Sequence, residues 1–247
     1  MLLSVQTYAC SCATMRLVEY YQTSDFIAKA EILTVVEDKL NDNYHDITLG
    51  SIDVYKGAKV SKLKVTSSLR TSCGFLPAEN TTWLIFASKD RNGFLTFGFC
   101  SGSKQIDRQF DLVEYPDLDK KYKKEIDRKL EVLAFLRKHK ITDPNKFDLR
   151  IDSPLGHFDE LKGFSERKTF AVYELSVNRD LSIENVRPLR EFSNKELSGK
   201  LLQFTKNDLR FNKKQVKSLL EKSKVIVVFF SYPAEGTDQS FISTFDL

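Results

Sequence analysis

Four cysteines constrain this chain most, because two of them form the pair Cys10-Ser11-Cys12 near its start. The other two, Cys73 and Cys100, lie far downstream. A Cys-x-Cys pair that closes on itself fits disulfide geometry poorly, so each member can reach a distant partner instead. Two such bonds would tie an N-terminal segment to two later points of one domain. In the chain-entropy model, loops of that length contribute roughly 4 to 5 kcal/mol each.

The same cysteines allow two other interpretations. A zinc site usually begins with a pair spaced Cys-x2–4-Cys, whereas this spacing is tighter and no second close pair follows. Four reduced, buried cysteines are the plainer alternative for a chain of 247 residues. The even count and the residues that precede Cys10 favour disulfides.

Residues 1–9 read as the end of a secretory signal peptide, with a short N-terminal arm as the alternative. An apolar stretch leads to Thr7-x-Ala9, in the place of the small residues of a cleavage site. Cleavage after Ala9 would make Cys10 the mature N-terminus, and the dipeptide Ala9-Cys10 also fits a lipoprotein signal. No apolar run approaches the roughly 20 residues that cross a bilayer. We therefore expect a protein that is secreted or located in the periplasm or cell envelope.

Residues 10–110 carry the pattern of a small β-barrel. The composition favours β-structure, because the chain contains nineteen Phe and nine Tyr. Alternating or apolar runs bounded by turn residues predict five strands with no clear helix between them, which is typical of a closed barrel of the OB type. The predicted strands cover residues 24–36, 47–55, 63–65, 82–87 and 94–99.

The pattern changes after the barrel. Tyr122, Ile126, Leu130, Leu133 and Leu136 recur at helical spacing and predict a connecting helix over 117–141. Turn-rich composition predicts a linker over 142–167. The remainder, 168–247, predicts a small α+β domain. It comprises two strands over 170–189, a helix over 193–204 that Ser193 caps, a second helix over 213–222, and a central strand over 225–232.

Short segments in a fixed order resemble netrin-like modules, the family that includes the N-terminal domain of the tissue inhibitors of metalloproteinases. They are Cys10-Ser11-Cys12, 24–30, 54–57, Ser72-Cys73-Gly74, 83–86 and Phe99-Cys100-Ser101. The resemblance covers 10–103 and implies an OB barrel with disulfides Cys10–Cys73 and Cys12–Cys100. The third bridge and the cysteine-rich second domain of those inhibitors have no counterpart here. Residues 168–247 resemble, without a sharp motif, the C-terminal domain of TonB-type proteins.

The resemblance implies a protein-binding role. If Cys10 is the N-terminus, its α-amine and carbonyl oxygen can chelate one metal ion, and an α-amine with a pKa of about 8 is partly neutral at pH 7. The catalytic zinc of a protease keeps an open position that such a chelate could take. In the inhibitor family the next side chain enters the specificity pocket of the protease, and by resemblance that side chain is Ser11.

Nothing in the sequence points to catalysis. His45, His139 and His157 lie in no H-E-x-x-H pattern, and no nucleotide-binding or hydrolase motif occurs. The net charge of +4 is too mild to indicate nucleic acid. We expect a non-catalytic module without a cofactor, which binds a zinc metalloproteinase or a cell-envelope protein. The alternative is a thiol, redox or metal-binding protein that uses the Cys-x-Cys motif, and thiol exchange would require an exposed thiolate.

Overall fold

Five strands close into a barrel in the computed structural model. The strands are β1 (Phe26–Glu37), β2 (Tyr44–Lys56), β3 (Lys62–Thr66), β4 (Thr81–Lys89) and β5 (Leu95–Gly98). They pair in the order β1-β2-β3-β5-β4, and β4 also pairs with β1, which completes the circle. All neighbours are antiparallel except β3 and β5, which run parallel.

The structure describes residues 10–13, 15–111, 113–114, 116–141, 145, 147–152, 158–211, 219 and 221–246. Over these residues the chain is mainly β, with three α-helices. It divides into two compact units. Unit 1 takes the described parts of 1–15, 19–127 and 133–137, and unit 2 those of 16–18, 128–132 and 138–247. None of the described helices is long and apolar enough to span a membrane.

The barrel core follows from the alternation along β1. Phe26, Ala28, Ala30 and Ile32 point inward and are fully buried, as the sequence predicts. Two of the four are alanines, which suits the narrow interior of a small barrel. β1 shifts register against β2 at three places. Such bulges let a long strand bend around the barrel.

Two short elements that flank the barrel strands in the chain were not predicted. Helix α1 (Leu17–Thr23) precedes the barrel, and strand β6 (Lys104–Gln105) pairs with β4 after it. Helix α2 (Leu118–Lys138) follows, and the Tyr122 hydroxyl donates to the Gln105 carbonyl at 2.6 Å. That hydrogen bond fixes the first turns of α2 against the strand that adds to the barrel.

The elements of unit 2 after α2 are β7 (Ile151–Asp152), β8 (Phe170–Val177), β9 (Ile183–Arg190), α3 (Lys195–Asn207), β10 (Arg210–Phe211), β11 (Ser223–Tyr232) and β12 (Phe241–Ser243). Four of the strands form an antiparallel sheet in the order β12-β11-β8-β9. Helix α3 packs its buried leucines into the same core as the sheet. A 3-10 turn at Asp159–Leu161 and the short pair β7–β10 complete the unit.

The predicted cap of α3 was wrong by one residue. Asn194, not Ser193, is the N-cap, and its side-chain oxygen accepts from the Leu197 backbone N–H at 3.1 Å. The backbone N–H of Ser193 donates instead to the Glu166 carboxylate at 3.0 Å. The predicted helix over 213–222 falls largely on 213–218 and 220, which lie outside the described residues.

Candidate functional site

The N-terminal segment of the described chain is fixed to two loops of unit 1. Cys10 is bonded to Cys73, with 5.1 Å between the Cα atoms, and Cys12 to Cys100, with 5.3 Å. These are the pairs that the resemblance to netrin-like modules implies. Cys10 is half-buried and Ser11 is exposed, so the segment lies on the surface with the Ser11 side chain open to solvent.

The loop that carries Cys73 joins β3 to β4 and is held from both ends. The Ser67 backbone N–H donates to the Asn43 carbonyl in the β1–β2 turn, and the Phe75 N–H donates to the Ser67 carbonyl, both at 2.8 Å. The Phe75 ring packs edge-on against Trp83 and Phe97, with centroid distances of 5.6 and 5.9 Å. Cys73 is therefore presented by an anchored loop.

The loop that carries Cys100 follows β5 and depends on a glycine. Gly102 has a φ of +79°, and a Cβ there would lie 2.6 Å from the Tyr20 ring. The Ser103 hydroxyl accepts from the Phe86 backbone N–H at 2.9 Å, which ties the end of this loop to β4. The close approach of α1 therefore requires glycine at position 102.

Together these segments form one edge of unit 1, which we call the disulfide rim. It consists of the β1–β2 turn (38–43), the loop 67–76, residues 10–13 and the pair Phe99-Cys100. An ion pair of 3.2 Å between Asp42 and Arg70 joins the turn to the loop, and the two disulfides join the rest. The Asp42–Arg70 ion pair is exposed and contributes little stability. The turn is therefore held mainly by the backbone hydrogen bond from Ser67 to Asn43, and the other three segments are held by the disulfides.

Exposed apolar side chains concentrate on this rim. Four of the large apolar residues that unit 1 leaves exposed lie on it: Leu40 (97% exposed), Leu69 (52%), Leu76 (43%) and Phe99 (51%). Single exposed apolar residues are ordinary, whereas a contiguous group of them is typical of an interaction surface. Leu69, Leu76 and Phe99 lie within four residues of Cys73 or Cys100, but the sequence alone does not distinguish exposed from buried apolar residues there.

An open cavity of about 430 Å³ lies beside the rim and is lined by both Cys73 and Cys100. Aromatic rings of Tyr20, Phe86 and Phe97 form its apolar part, with hydroxyls from serine and threonine residues around them. The rings of Tyr20 and Phe86 lie 5.6 Å apart. The volume falls within the range of side-chain and small-ligand pockets.

The histidines considered from sequence do not form a site. His45 is buried, and its Nδ1 lies 3.0 Å from the Ser67 hydroxyl. His139 is exposed on a different segment, and His157 lies outside the described residues. Within the described ranges, no three His, Cys, Asp or Glu side chains are grouped so that they could hold a metal ion.

The Cys-x-Cys motif has no thiol in this structure. All four cysteines of the chain are in disulfides, so no thiolate is present for exchange or for metal binding. Comparison of the chain with protein-family models and with curated proteins finds no match to either.

Proposed function

We propose that unit 1 is a non-catalytic protein-binding module and that the disulfide rim is its binding surface. The observation that carries the proposal is a group of exposed apolar residues on connected segments: Leu40, Leu69, Leu76 and Phe99. Two disulfides link the segments of the last three, and a backbone hydrogen bond from Ser67 to Asn43 links the turn that carries Leu40. A surface held rigid before binding loses less conformational entropy when a partner docks. An apolar patch bordered by polar loops is typical of such an interface.

The proposal includes the netrin-like class of the barrel. The closed circuit β1-β2-β3-β5-β4 with one parallel pair supports an OB-type barrel, and the two cysteine pairs support the closer resemblance. For residues 168–247 we propose a small α+β domain similar to the C-terminal domain of TonB-type proteins. The succession of two strands, a helix and a further strand supports that proposal.

The disulfides also bear on where the protein works. Disulfides persist in oxidising compartments and are rare where thioredoxin and glutathione keep thiols reduced. We therefore propose that the protein is secreted or resides in the periplasm or cell envelope, where the partner would be an extracellular or envelope protein.

The rim can be tested with two matched variants. The double variant Leu69→Ser with Phe99→Ser removes apolar surface from the rim without touching a cysteine. Val113→Ser makes the same kind of chemical change at a residue that is 94% exposed and belongs to none of the rim segments. Chemical cross-linking in the native host should yield a partner with the wild type and with Val113→Ser, and at least tenfold less with the rim variant. Equal yields from all three would contradict the proposal.

The sharper form of the proposal is inhibition of a zinc metalloproteinase. Cys10 would bind the catalytic zinc through its amine and carbonyl oxygen, and the exposed Ser11 side chain would enter the specificity pocket. The disulfide to Cys73 would hold the chelate in place. Chelation requires cleavage between Ala9 and Cys10, because an amide nitrogen has no lone pair available for zinc.

Three forms of the protein test this mechanism. They are the chain as given, a processed form that begins at Cys10, and the processed form acetylated at its amine. Each is titrated against a panel of zinc metalloproteinases. Chelation predicts inhibition by the processed form alone. Equal inhibition by all three forms would exclude the amine as the ligand, and no inhibition by any form would leave the binding module without this activity.

A further inference from the structure

The two sides of β1 are paired over different lengths. β4 pairs with β1 from Phe26 to Ile32 only, whereas β2 pairs with it as far as Glu37. Within the part of the chain that the structure describes, no strand pairs with the β4 side of residues 33–37. We call this side the open edge. It lies outside the disulfide rim.

The backbone groups on the open edge can be identified from the register. The Asp38 N–H donates to the Tyr44 carbonyl of β2 at 3.1 Å. Because backbone direction alternates along a strand, Thr34 and Val36 also face β2, and Val35 and Glu37 face away from it. The Val35 N–H indeed bonds on that side, to the Glu79 carboxylate at 2.8 Å.

The sequence of the open edge favours pairing. Leu33-Thr34-Val35-Val36-Glu37 is rich in β-forming residues, and every residue except the half-buried Val35 is exposed. Natural proteins protect exposed edges with proline, lysine or a covering loop. Residues 33–37 contain neither proline nor lysine. The Glu79 side chain covers one N–H, and an incoming strand could displace it.

The charges of the open edge select among partners. Glu37 lies on it, and the Glu79 carboxylate is bonded to it. A second copy of this chain would bring the same two carboxylates to the interface, where like charges repel. A segment with Lys or Arg would instead pair with Glu79 once that side chain leaves Val35.

We propose that the open edge binds an extended segment of a protein partner by strand addition. The segment alternates apolar residues with at least one Lys or Arg. Its backbone forms hydrogen bonds with the backbone groups of Val35 and Glu37, and its basic side chain pairs with the displaced Glu79 carboxylate. Main-chain hydrogen bonds supply affinity in this mode, and alternate side chains supply specificity.

The test uses the full chain and a phage-displayed library of random heptapeptides. Clones are first depleted on the Val35→Pro variant, in which the edge loses a donor but β1 keeps its hydrogen bonds to β2. Glu37→Pro replaces it if Val35→Pro does not fold, as judged by circular dichroism. We expect the remaining binders to alternate apolar and basic residues. No binders, or binders without Lys or Arg, would overturn the proposal.

The best binder is then synthesised with a normal backbone and with alternate amides N-methylated, which removes main-chain donors and keeps the side chains. We expect methylation in one of the two registers to weaken binding at least tenfold. The Glu79→Gln variant should bind the unmethylated peptide three- to tenfold more weakly than the wild type. Hydrogen exchange at Val35 and Glu37 should slow on binding, while Thr34 and Val36 stay unchanged. Strand addition would be overturned if the native peptide and both methylated peptides bound with equal affinity. It would also be overturned if hydrogen exchange at Val35 and Glu37 did not change, or if self-association of the protein without peptide already protected these amides.

Discussion

Glu166 shows how one carboxylate can organise the start of a helix. Its two oxygens accept the backbone N–H groups of Arg167, Lys168, Ser193 and Asn194 at 2.7 to 3.0 Å. Burial acts to raise the pKa of the Glu166 carboxyl, but these four donors outweigh it and hold the pKa below its usual value. The carboxylate thereby links the segment before β8 to the residues that lead into α3.

This arrangement predicts a pH-dependent contribution to stability. Glu166→Gln should lower the free energy of unfolding of unit 2 by about 1 to 3 kcal/mol at pH 7, because charge-assisted hydrogen bonds are replaced by weaker ones. A lowered pKa in the folded state means that the contribution is complete above the ordinary glutamate pKa, about 4.3. It is lost as the pH falls through the lowered value. Urea unfolding of both proteins from pH 7 to pH 3 should show the difference shrinking, and a constant difference would contradict this account.

Two glycines with nearly the same φ separate backbone strain from steric overlap. Gly102 has a φ of +79° and lies against the Tyr20 ring, whereas Gly93 has a φ of +82° and nothing within 4 Å of its added Cβ. Gly93→Ala should lower the free energy of unfolding by about 1 to 2 kcal/mol, because alanine is strained in the left-handed conformation. Gly102→Ala should lower it by at least about 1 kcal/mol more, because the Tyr20 ring must also move. Equal losses in thermal unfolding would mean that the Tyr20 contact does not constrain this loop.

At the level of strands and loops, the loop 67–76 depends on the packing of one ring. Phe75 contacts both Trp83 and Phe97, and Trp83 is the single tryptophan of the chain. Phe75→Ala should lower the free energy of unfolding by about 1 to 3 kcal/mol. This loss is smaller than for the same substitution at a fully buried phenylalanine, because Phe75 is only half-buried. The emission of Trp83 should shift to the red as water reaches its ring. Leu76→Ala, at an exposed neighbour, is the control and should leave the emission unchanged.

The strands were largely predictable because their apolar residues either alternate, as in β1, or form a short continuous run, as in β4. Phe26, Ala28, Ala30 and Ile32 show the period of two that a half-buried strand requires. Helix α1 was not predicted because seven residues give too little periodicity to separate a helix from a loop. The cap at Asn194 was missed since Ser193 satisfied the same local pattern. A contact from Glu166, 27 residues earlier, decided between them, and no local pattern contains that information.

The disulfides of the candidate site could be predicted from the sequence, but its exposed apolar side chains could not. The cysteine order, read through the resemblance, points to both pairs that the structure contains. The exposed leucines and Phe99 were not singled out, because apolar residues next to a cysteine read equally well as core. Only the folded loops show which of them are left exposed. The open edge likewise follows from where β4 stops pairing, which is a tertiary fact.

For the chain as a whole, we predict that limited proteolysis cuts first within residues 141–167. The composition there is rich in turn residues and the helical periodicity has lapsed. Two stable fragments should result, one with the barrel and one with the sheet of unit 2, which retains β7 and the 3-10 turn because Ile151 and Leu161 belong to its core. Both should be visible by mass spectrometry under reducing conditions. First cuts within residues 24–100 would contradict separate folding of the two parts.

The disulfide rim exists only if the N-terminal segment is bonded to both loops. Non-reducing peptide mapping of protein recovered from its native host tests this most directly. Proteolytic peptides that contain Cys10 and Cys12 should be joined to those that contain Cys73 and Cys100, and a cleavage between Cys10 and Cys12 or tandem fragmentation assigns the individual pairs. We predict Cys10–Cys73 and Cys12–Cys100, with no free thiol detected by alkylation before reduction. A Cys10–Cys12 bond, or free thiols at all four positions, would contradict the disulfide rim and the function proposed for it.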